Sequence, residues 1–316
     1  MKRLAGLAAL LLTLGLAACG VEDTPVPSPP APPQVTGGAA PVAQDCTNKL
    51  QSYAPTAGDP FAMPSRSTMA TIKDRGRLIA GVSADTYLLG ARNSVTGQIE
   101  GFDIDIVKQI AKAIFGDENA YTLRVITAAD RIPVLQKGEV DIVARNMSIT
   151  CDRWKQIAFS AQYYESGQKI LVRKGSDITG LDSLAGHRVC APLGTSSMDN
   201  LIRLAPDATP VGSDSHTGCL VLLQEGQVDA ITGDDTVLAG LASQDPYAVV
   251  LDGDPFTEEP YGIGIPPENI DMARFVNAVL EKMHADGSWD ASYQRWLQPT
   301  LGKSAGQPVP QYGRTP

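Results

Sequence analysis

Between residues 77 and 298 the apolar positions follow two alternating rhythms. Arg77–Ser83 is a short, mostly apolar run that predicts a strand. After Gly101, Phe102, Ile106 and Ile110 interleave with Ile104, Val107, Ala111 and Ile114 at helical spacing, and Gly116 closes the run as a helix C-terminal glycine. A strand over 121–127, a helix over 132–137 and a strand over 140–144 follow. Further strands are expected at 187–192, 228–232 and 247–252, separated by helices around 197–205 and 219–226. Strands alternating with helices imply an α/β fold of parallel sheets covered on both faces.

One segment echoes another. Leu135-Gln136-Lys137-Gly138-Glu139-Val140-Asp141 returns as Leu223-Gln224-Glu225-Gly226-Gln227-Val228-Asp229. Each reads as a helix end, a glycine cap and a buried strand. Asn146 and Asp234 stand at the same distance beyond the two strands. The echo suggests two similar lobes that place polar residues beyond the carboxyl ends of their strands, where open α/β sheets bind ligands.

Composition narrows the function. The chain has 316 residues, 43% of them hydrophobic, which excludes wholesale disorder and accommodates one large or two medium α/β units. Its 35 acidic residues against 26 Lys and Arg, with no basic block, argue against nucleic-acid binding. Three histidines leave little for metal sites or triads, and neither a metal nor a cofactor is expected. His216, in Ser213-Asp214-Ser215-His216, reads as part of a polar loop before a helix. Gly262-Ile263-Gly264 lacks a third glycine for a dinucleotide fingerprint, and neither a P-loop nor a G-x-S-x-G elbow is present.

The N-terminus reads as an address. Lys2 and Arg3 precede an uncharged stretch from Leu4 to Ala18, the size of a signal-peptide core and too short to span a bilayer. Leu16-Ala17-Ala18-Cys19 resembles a bacterial lipobox, so residues 1–18 are read as a signal peptide and Cys19 as a lipidated mature N-terminus. The expected location is then the extracytoplasmic membrane face. Seven prolines within 21–45 make 19–45 an extended tether, followed by an N-terminal extension over 46–65. The Pro- and Gly-rich stretch 299–316 is expected to be a flexible tail. Cys46, Cys151, Cys190 and Cys219 remain, and outside the cell four cysteines permit three disulfide pairings.

Three local features can build a site for an α-amino acid. Pro192-Leu193-Gly194-Thr195-Ser196-Ser197 joins a strand to a helix and offers free backbone N–H groups to a carboxylate. Asn146-Met147-Ser148-Ile149-Thr150-Cys151-Asp152-Arg153 supplies hydroxyls and a guanidinium capable of a bidentate grip. Asp234 and Asp235 can receive an ammonium.

These segments carry a resemblance. GFDIDIVKQIAKAI resembles the GFDVDL…IAK motif of family 3 solute-binding proteins, the polar amino-acid receptors of ABC importers. MSITCDRWKQIAFSAQYY, LAGHRVCAPLGTSS, VDAITGDDTVLAG, PYGIGIPPEN and the ending DGSWDASYQRWL resemble later segments of that family in order, over about 66–298. The whole chain is similar to actinobacterial glutamine/glutamate-binding lipoproteins. The resemblance implies a two-lobed type II periplasmic-binding-protein fold with two hinge crossings, near Tyr164–Lys169 and Glu259–Gly262. Lobe 1 would comprise 66–166 and 261–298, and lobe 2 would comprise 167–260.

Carried over by position, the resemblance implies that Arg153 and Ser148 hold the ligand α-carboxylate, with Thr195 and Ser196 adding donors from the second lobe. Asp234 would receive the ammonium, helped by Ser148 and the backbone around Asn146, and Asp235 would be a helix cap. Tyr87-Leu88-Leu89-Gly90-Ala91-Arg92 stands where the family has Y-P-P-F, and Tyr87 is taken as the stacking residue. Arg92 and Arg145 are candidates for reading a side-chain carboxylate, which would favour aspartate or glutamate over cationic amino acids. Their amides, glutamine and asparagine, remain possible ligands. With Cys190 and Cys219 in lobe 2 and Cys151 in lobe 1, the pairings that leave closure free are Cys190–Cys219 and Cys46–Cys151. The implied activity is capture without catalysis by a lipid-anchored monomer, with delivery to the permease subunits of an ABC importer. A sensor docking on a membrane signalling protein is an alternative, as is a cyclohexadienyl/arogenate dehydratase on the same fold.

Overall fold

The computed structural model describes Val35 and residues 46–315. The expected signal peptide, Cys19 and nearly all of the expected tether lie outside the described residues. In the first lobe, Leu78–Val82 is flanked in parallel by Tyr121–Val125 and Ile142–Val143. Gly264–Ile265 then joins antiparallel, between Ile142–Val143 and Ala158–Phe159. The helix Phe102–Phe115 covers this sheet with Ile104, Ile106, Val107, Ile110, Ala111 and Ile114 buried. Its first residue, Phe102, meets Trp289 edge-on at 5.5 Å between ring centroids. Trp289 lies on Ser288–Trp296, which follows Ile270–Ala285, so the C-terminal helices return to the first lobe.

The second lobe has the parallel strands Thr209–Ser213, Arg188–Pro192 and Ala230–Asp234, then Tyr164–Arg173 antiparallel to them, with Ala248–Val250 pairing antiparallel on its far side. Ser196–Leu204 packs on one face through Met198 and Leu201. His216–Gln224 and Asp235–Gln244 cover the other. The ten-residue strand Tyr164–Arg173 is the outgoing crossing. Its first half pairs with the returning strand Thr257–Tyr261, from Tyr164 opposite Tyr261 to Gln168 opposite Thr257. Two hydrogen-bonded strands therefore join the lobes.

The repeated segment is structural. Gly138 and Gly226 both adopt left-handed φ, 63° and 70°. Asp141 Oδ2 accepts the backbone N–H of Ile79 at 2.7 Å, and Asp229 Oδ2 accepts that of Arg188 at 2.8 Å. Each aspartate thus pins the start of the neighbouring parallel strand.

Both disulfides, Cys190–Cys219 and Cys46–Cys151, are formed. The first ties a strand to its covering helix inside the second lobe. The second ties the N-terminal extension to the four-residue helix Cys151–Trp154. The expected flexible tail is instead anchored. Gln298–Leu301 is helical, and Gln311–Tyr312 pairs in parallel with Gln51–Ser52. Arg314 stacks on Trp154 at 3.7 Å from the ring centroid, while the Trp154 indole N–H donates to Lys49 O at 2.8 Å. Beneath this clasp the buried Asn277 amide donates to Ser52 and Tyr53 and accepts from Ala161 N–H. Proline- and glycine-rich composition predicts a flexible tail because these partners lie more than a hundred residues apart in the chain.

Candidate functional site

The strand Ile142–Val143 delivers Arg145, Asn146 and Ser148 to the interlobe face. Asn146 holds φ at 35°, a conformation unusual for a side-chain-bearing residue. Asp103 fixes it there: its Oδ2 accepts the Asn146 backbone N–H at 2.8 Å, and its Oδ1 accepts the Tyr163 hydroxyl at 2.7 Å. Burial pushes the Asp103 carboxyl up to about 6, against both hydrogen bonds and the nearby Arg145. This aspartate comes from the GFD segment, so the motif that carries the helical period and the family resemblance also fixes the Asn146 turn.

Thr150 caps the helix that follows by accepting Arg153 N–H at 3.2 Å. The cap turns the buried Arg153 guanidinium inward, where it donates to Ser148 O at 2.7 Å and, across the cleft, to Gly194 O at 3.3 Å. Burial lowers its pKa, opposed by the carboxylates of Glu259, Asp199 and Asp234. Gly194 has φ of 71°, and a Cβ there would lie 2.7 Å from Ala129 Cα on the first lobe. Glycine is what lets the two loops meet so closely.

The second lobe brings three more groups. Thr195 uses its hydroxyl as the helix cap, accepting from Met198 N–H at 3.1 Å and donating to Pro192 O at 2.7 Å. Ser196 Oγ lies 3.1 Å from Ser148 Oγ across the cleft and donates to Glu259 Oε2 at 2.6 Å. Asp234 ends its strand with both carboxylate oxygens engaged, Oδ2 by the Tyr261 hydroxyl at 2.7 Å and Oδ1 by Ser197 Oγ at 3.4 Å. Burial pushes the Asp234 carboxyl up to about 7, with Glu259 and Asp235 acting in the same direction. Asp235 accepts from Ser166 Oγ and from Thr236 N–H at the start of its helix. Beside these groups a cavity of 990 Å³ is lined by Arg153, Gly194, Ser196 and Glu259, among others.

Arg153, Ser148, Asn146, Thr195, Ser196 and Asp234 thus gather where the lobes meet. Arg92 stands apart: it is exposed, and its guanidinium donates to Gly97 O at 2.7 Å within its own hairpin. Arg145 is buried, donates to Ile126 O at 2.9 Å and faces Asp85, Asp103 and Asp130. Tyr87 is 47% exposed, and its carbonyl packs against Gly240 of the second lobe. Close by, Thr217 Oγ1 donates to Asp85 O at 3.0 Å, a further tie between the lobes.

Two residues escaped the sequence reading as site members. Arg131 is buried and donates to the carbonyls of Ala128, Arg145 and Asn146, and across the cleft to Gly194 O at 3.0 Å. Its signal was position: it opens a helix just beyond the carboxyl end of Tyr121–Val125, where open sheets bind ligands. Glu259 is buried on the returning crossing strand and was read only as hinge.

Two α/β lobes joined by paired strands, with a guanidinium, hydroxyls and carboxylates meeting between them, define a two-lobed solute receptor. The model of bacterial extracellular solute-binding proteins, family 3, matches residues 78–299. The chain is 40% identical to the ABC transporter glutamine-binding protein GlnH of Bacillus subtilis (strain 168), over 76% of this chain and 88% of that one. It is 43% identical to a glutamine-binding protein of Geobacillus stearothermophilus, over 63% and 76% of the respective chains. Among solved structures it is similar to an ancestral arginine-binding protein bound to glutamine, with 34% identity, a TM-score of 0.67, and coverage of 72% and 99%. The protein belongs to the family 3 extracellular solute-binding proteins.

Proposed function

We propose that this receptor captures an α-amino acid, glutamine foremost, by closing its lobes and delivers it to the permease of an ABC importer. The observation that carries the reading is the meeting of Arg153 and Ser148 from one lobe with Ser196 and Asp234 from the other in one buried polar cluster. Arg153 and the backbone N–H of Ser148 hold the α-carboxylate, and the Gly194–Ser196 turn adds further backbone N–H donors. Asp234 receives the ammonium. A zwitterion supplies one charge of each sign, so the enclosed site gains no net charge.

The preference for an amide over an acid rests on Arg145 and Asn146. Arg145 faces three carboxylates, which balance its charge and leave little for a ligand carboxylate. Asn146 Oδ1 is a buried acceptor without a partner among the described residues. A carboxamide brings a donor to it, and a carboxylate does not. The two relatives named for glutamine agree with this reading. Calorimetry with all twenty amino acids tests it. Glutamine should bind tightest, with glutamate about tenfold weaker. If no amino acid binds, the receptor reading is wrong; if lysine or arginine binds tightest, only the side-chain assignment falls.

Attachment through Cys19 belongs to the same proposal. Two or more lipid chains make attachment durable, so Cys19→Ala should move the protein from the membrane fraction to the medium. Retention of that variant on membranes would refute lipidation at this cysteine.

A further inference from the structure

Glu259 is 2% exposed on the strand that returns to the first lobe. Its Oε2 accepts the Ser196 hydroxyl at 2.6 Å, while its Oε1 accepts Asn200 Nδ2 and the Thr257 hydroxyl, both at 3.0 Å. All three partners donate, so the site requires an acceptor-only group, which an ionised carboxylate is and an amide is not. The Ser196 hydrogen is thereby committed to Glu259. In the 3.1 Å contact between Ser148 and Ser196, Ser148 must then be the donor. The result is a directional chain: Ser148 of the first lobe donates to Ser196 of the second, and Ser196 donates to Glu259 on the crossing strand. Ser148 is also the residue whose carbonyl seats Arg153.

We infer that Glu259 is a positioning residue that sets the open–closed balance, by holding Ser196 as the acceptor for Ser148 across the cleft. It touches no ligand in this scheme. It makes the Ser148–Ser196 contact favourable, and so favours closure over the carboxylate end of the site. A buried carboxylate with a purely structural role would lower thermal stability when altered, without changing how far the lobes close.

Glu259→Gln keeps the shape but turns an NH₂ group toward either Ser196 or the Asn200–Thr257 pair. Small-angle scattering of the ligand-free protein should show a larger radius of gyration for Glu259→Gln and for Ser196→Ala than for wild type. Calorimetry should show glutamine binding about ten- to a hundredfold weaker in each, from the loss of a charge-assisted hydrogen bond. Because Glu259 acts through Ser196, the double variant should be no worse than Ser196→Ala alone. The inference is overturned if a folded Glu259→Gln keeps the wild-type radius and affinity and only melts earlier, or if the two losses multiply. Should Glu259→Gln fail to fold, Ser148→Ala and Ser196→Ala carry the test: each must open the ligand-free protein, and together no more than either alone. The affinity arm rests on the amino-acid reading and the scattering arm does not. If glutamine binds neither wild type nor variant, the ligand assignment fails while scattering still decides the role of Glu259.

Discussion

Replacing Arg153 by alanine should abolish most ligand affinity while costing little stability, and the neighbouring Arg131 should behave in the opposite way. The Arg153 guanidinium donates to Ser148 O at 2.7 Å and to Gly194 O at 3.3 Å, and the second carbonyl keeps a donor in Arg131 at 3.0 Å. Taking Arg153 away also relieves the desolvation that lowers its own pKa. The net change in the ligand-free protein should therefore stay within about 2 kcal/mol. With ligand, the α-carboxylate would be enclosed without its cation, at about 3–5 kcal/mol, or two to three and a half powers of ten in affinity. Arg131→Ala instead strips donors from the carbonyls of Ala128, Arg145, Asn146 and Gly194. Several buried acceptors left unpaired should cost about 3 kcal/mol or more in stability. Glutamine titrations and ligand-free thermal melts on both variants decide the matter. An Arg153→Ala protein that binds within threefold of wild type refutes the assignment. So does an Arg131→Ala protein that melts normally yet fails to bind.

Affinity should rise with pH toward and through about 7, because Asp234 must lose its proton to pair with an ammonium and its carboxyl is held up at about 7. Titrations near pH 6 in buffers of different ionisation heat should detect proton release on binding, and pH-independent affinity would sink the role of Asp234. In the ligand-free protein the raised carboxyls of Asp234 and Asp103, at about 7 and 6, contribute stability that is full below about 4 and is lost as pH climbs through those values. His216, pushed down to about 4 by burial, acts the other way, contributing stability that grows from about 4 to 6.5. Melts from pH 5 to 8 should accordingly show a decline that Asp103→Asn flattens between 5 and 6. Removing the Cys46–Cys151 bond, whose partners lie 105 residues apart, should cost about 4–5 kcal/mol by the chain-entropy argument. Truncation before Gln311 should lower the melting temperature and leave glutamine affinity within threefold. A large affinity loss on truncation would mean that the clasp shapes the site.

Local pattern carried the fold. Helical spacing after Gly101, the apolar run at Leu78–Val82 and the twin Leu135–Asp141 and Leu223–Asp229 segments each depend on neighbours within a few residues. Such signals survive in a single sequence because burial imposes one period per element. The clasp did not. A two-residue strand at Gln311–Tyr312 has no period to read, and its partner Gln51–Ser52 lies across the length of the chain. Proline- and glycine-rich composition pointed the wrong way because anchoring here comes from the Arg314–Trp154 stack, a two-residue strand pairing and side-chain bonds from Gln307, Tyr312 and Arg314 rather than from an apolar face.

The site was half legible for a related reason. Ser148, Arg153 and Asp234 sit at fixed offsets from strands that pattern alone can place, so their convergence could be anticipated. The other three arginines offer no such handle, because charge says nothing about direction. Arg92 closes its own hairpin, Arg145 is balanced by three carboxylates, and Arg131, which had no motif to mark it, joins both lobes at Gly194. Glu259 shows the limit most clearly. Its meaning lies in three donors contributed by Ser196, Asn200 and Thr257, and a carboxylate acquires a direction only when its donors are known. Composition can therefore supply the chemistry of a binding cleft, whereas the direction in which hydrogen bonds run across it emerges only once the two lobes are in place.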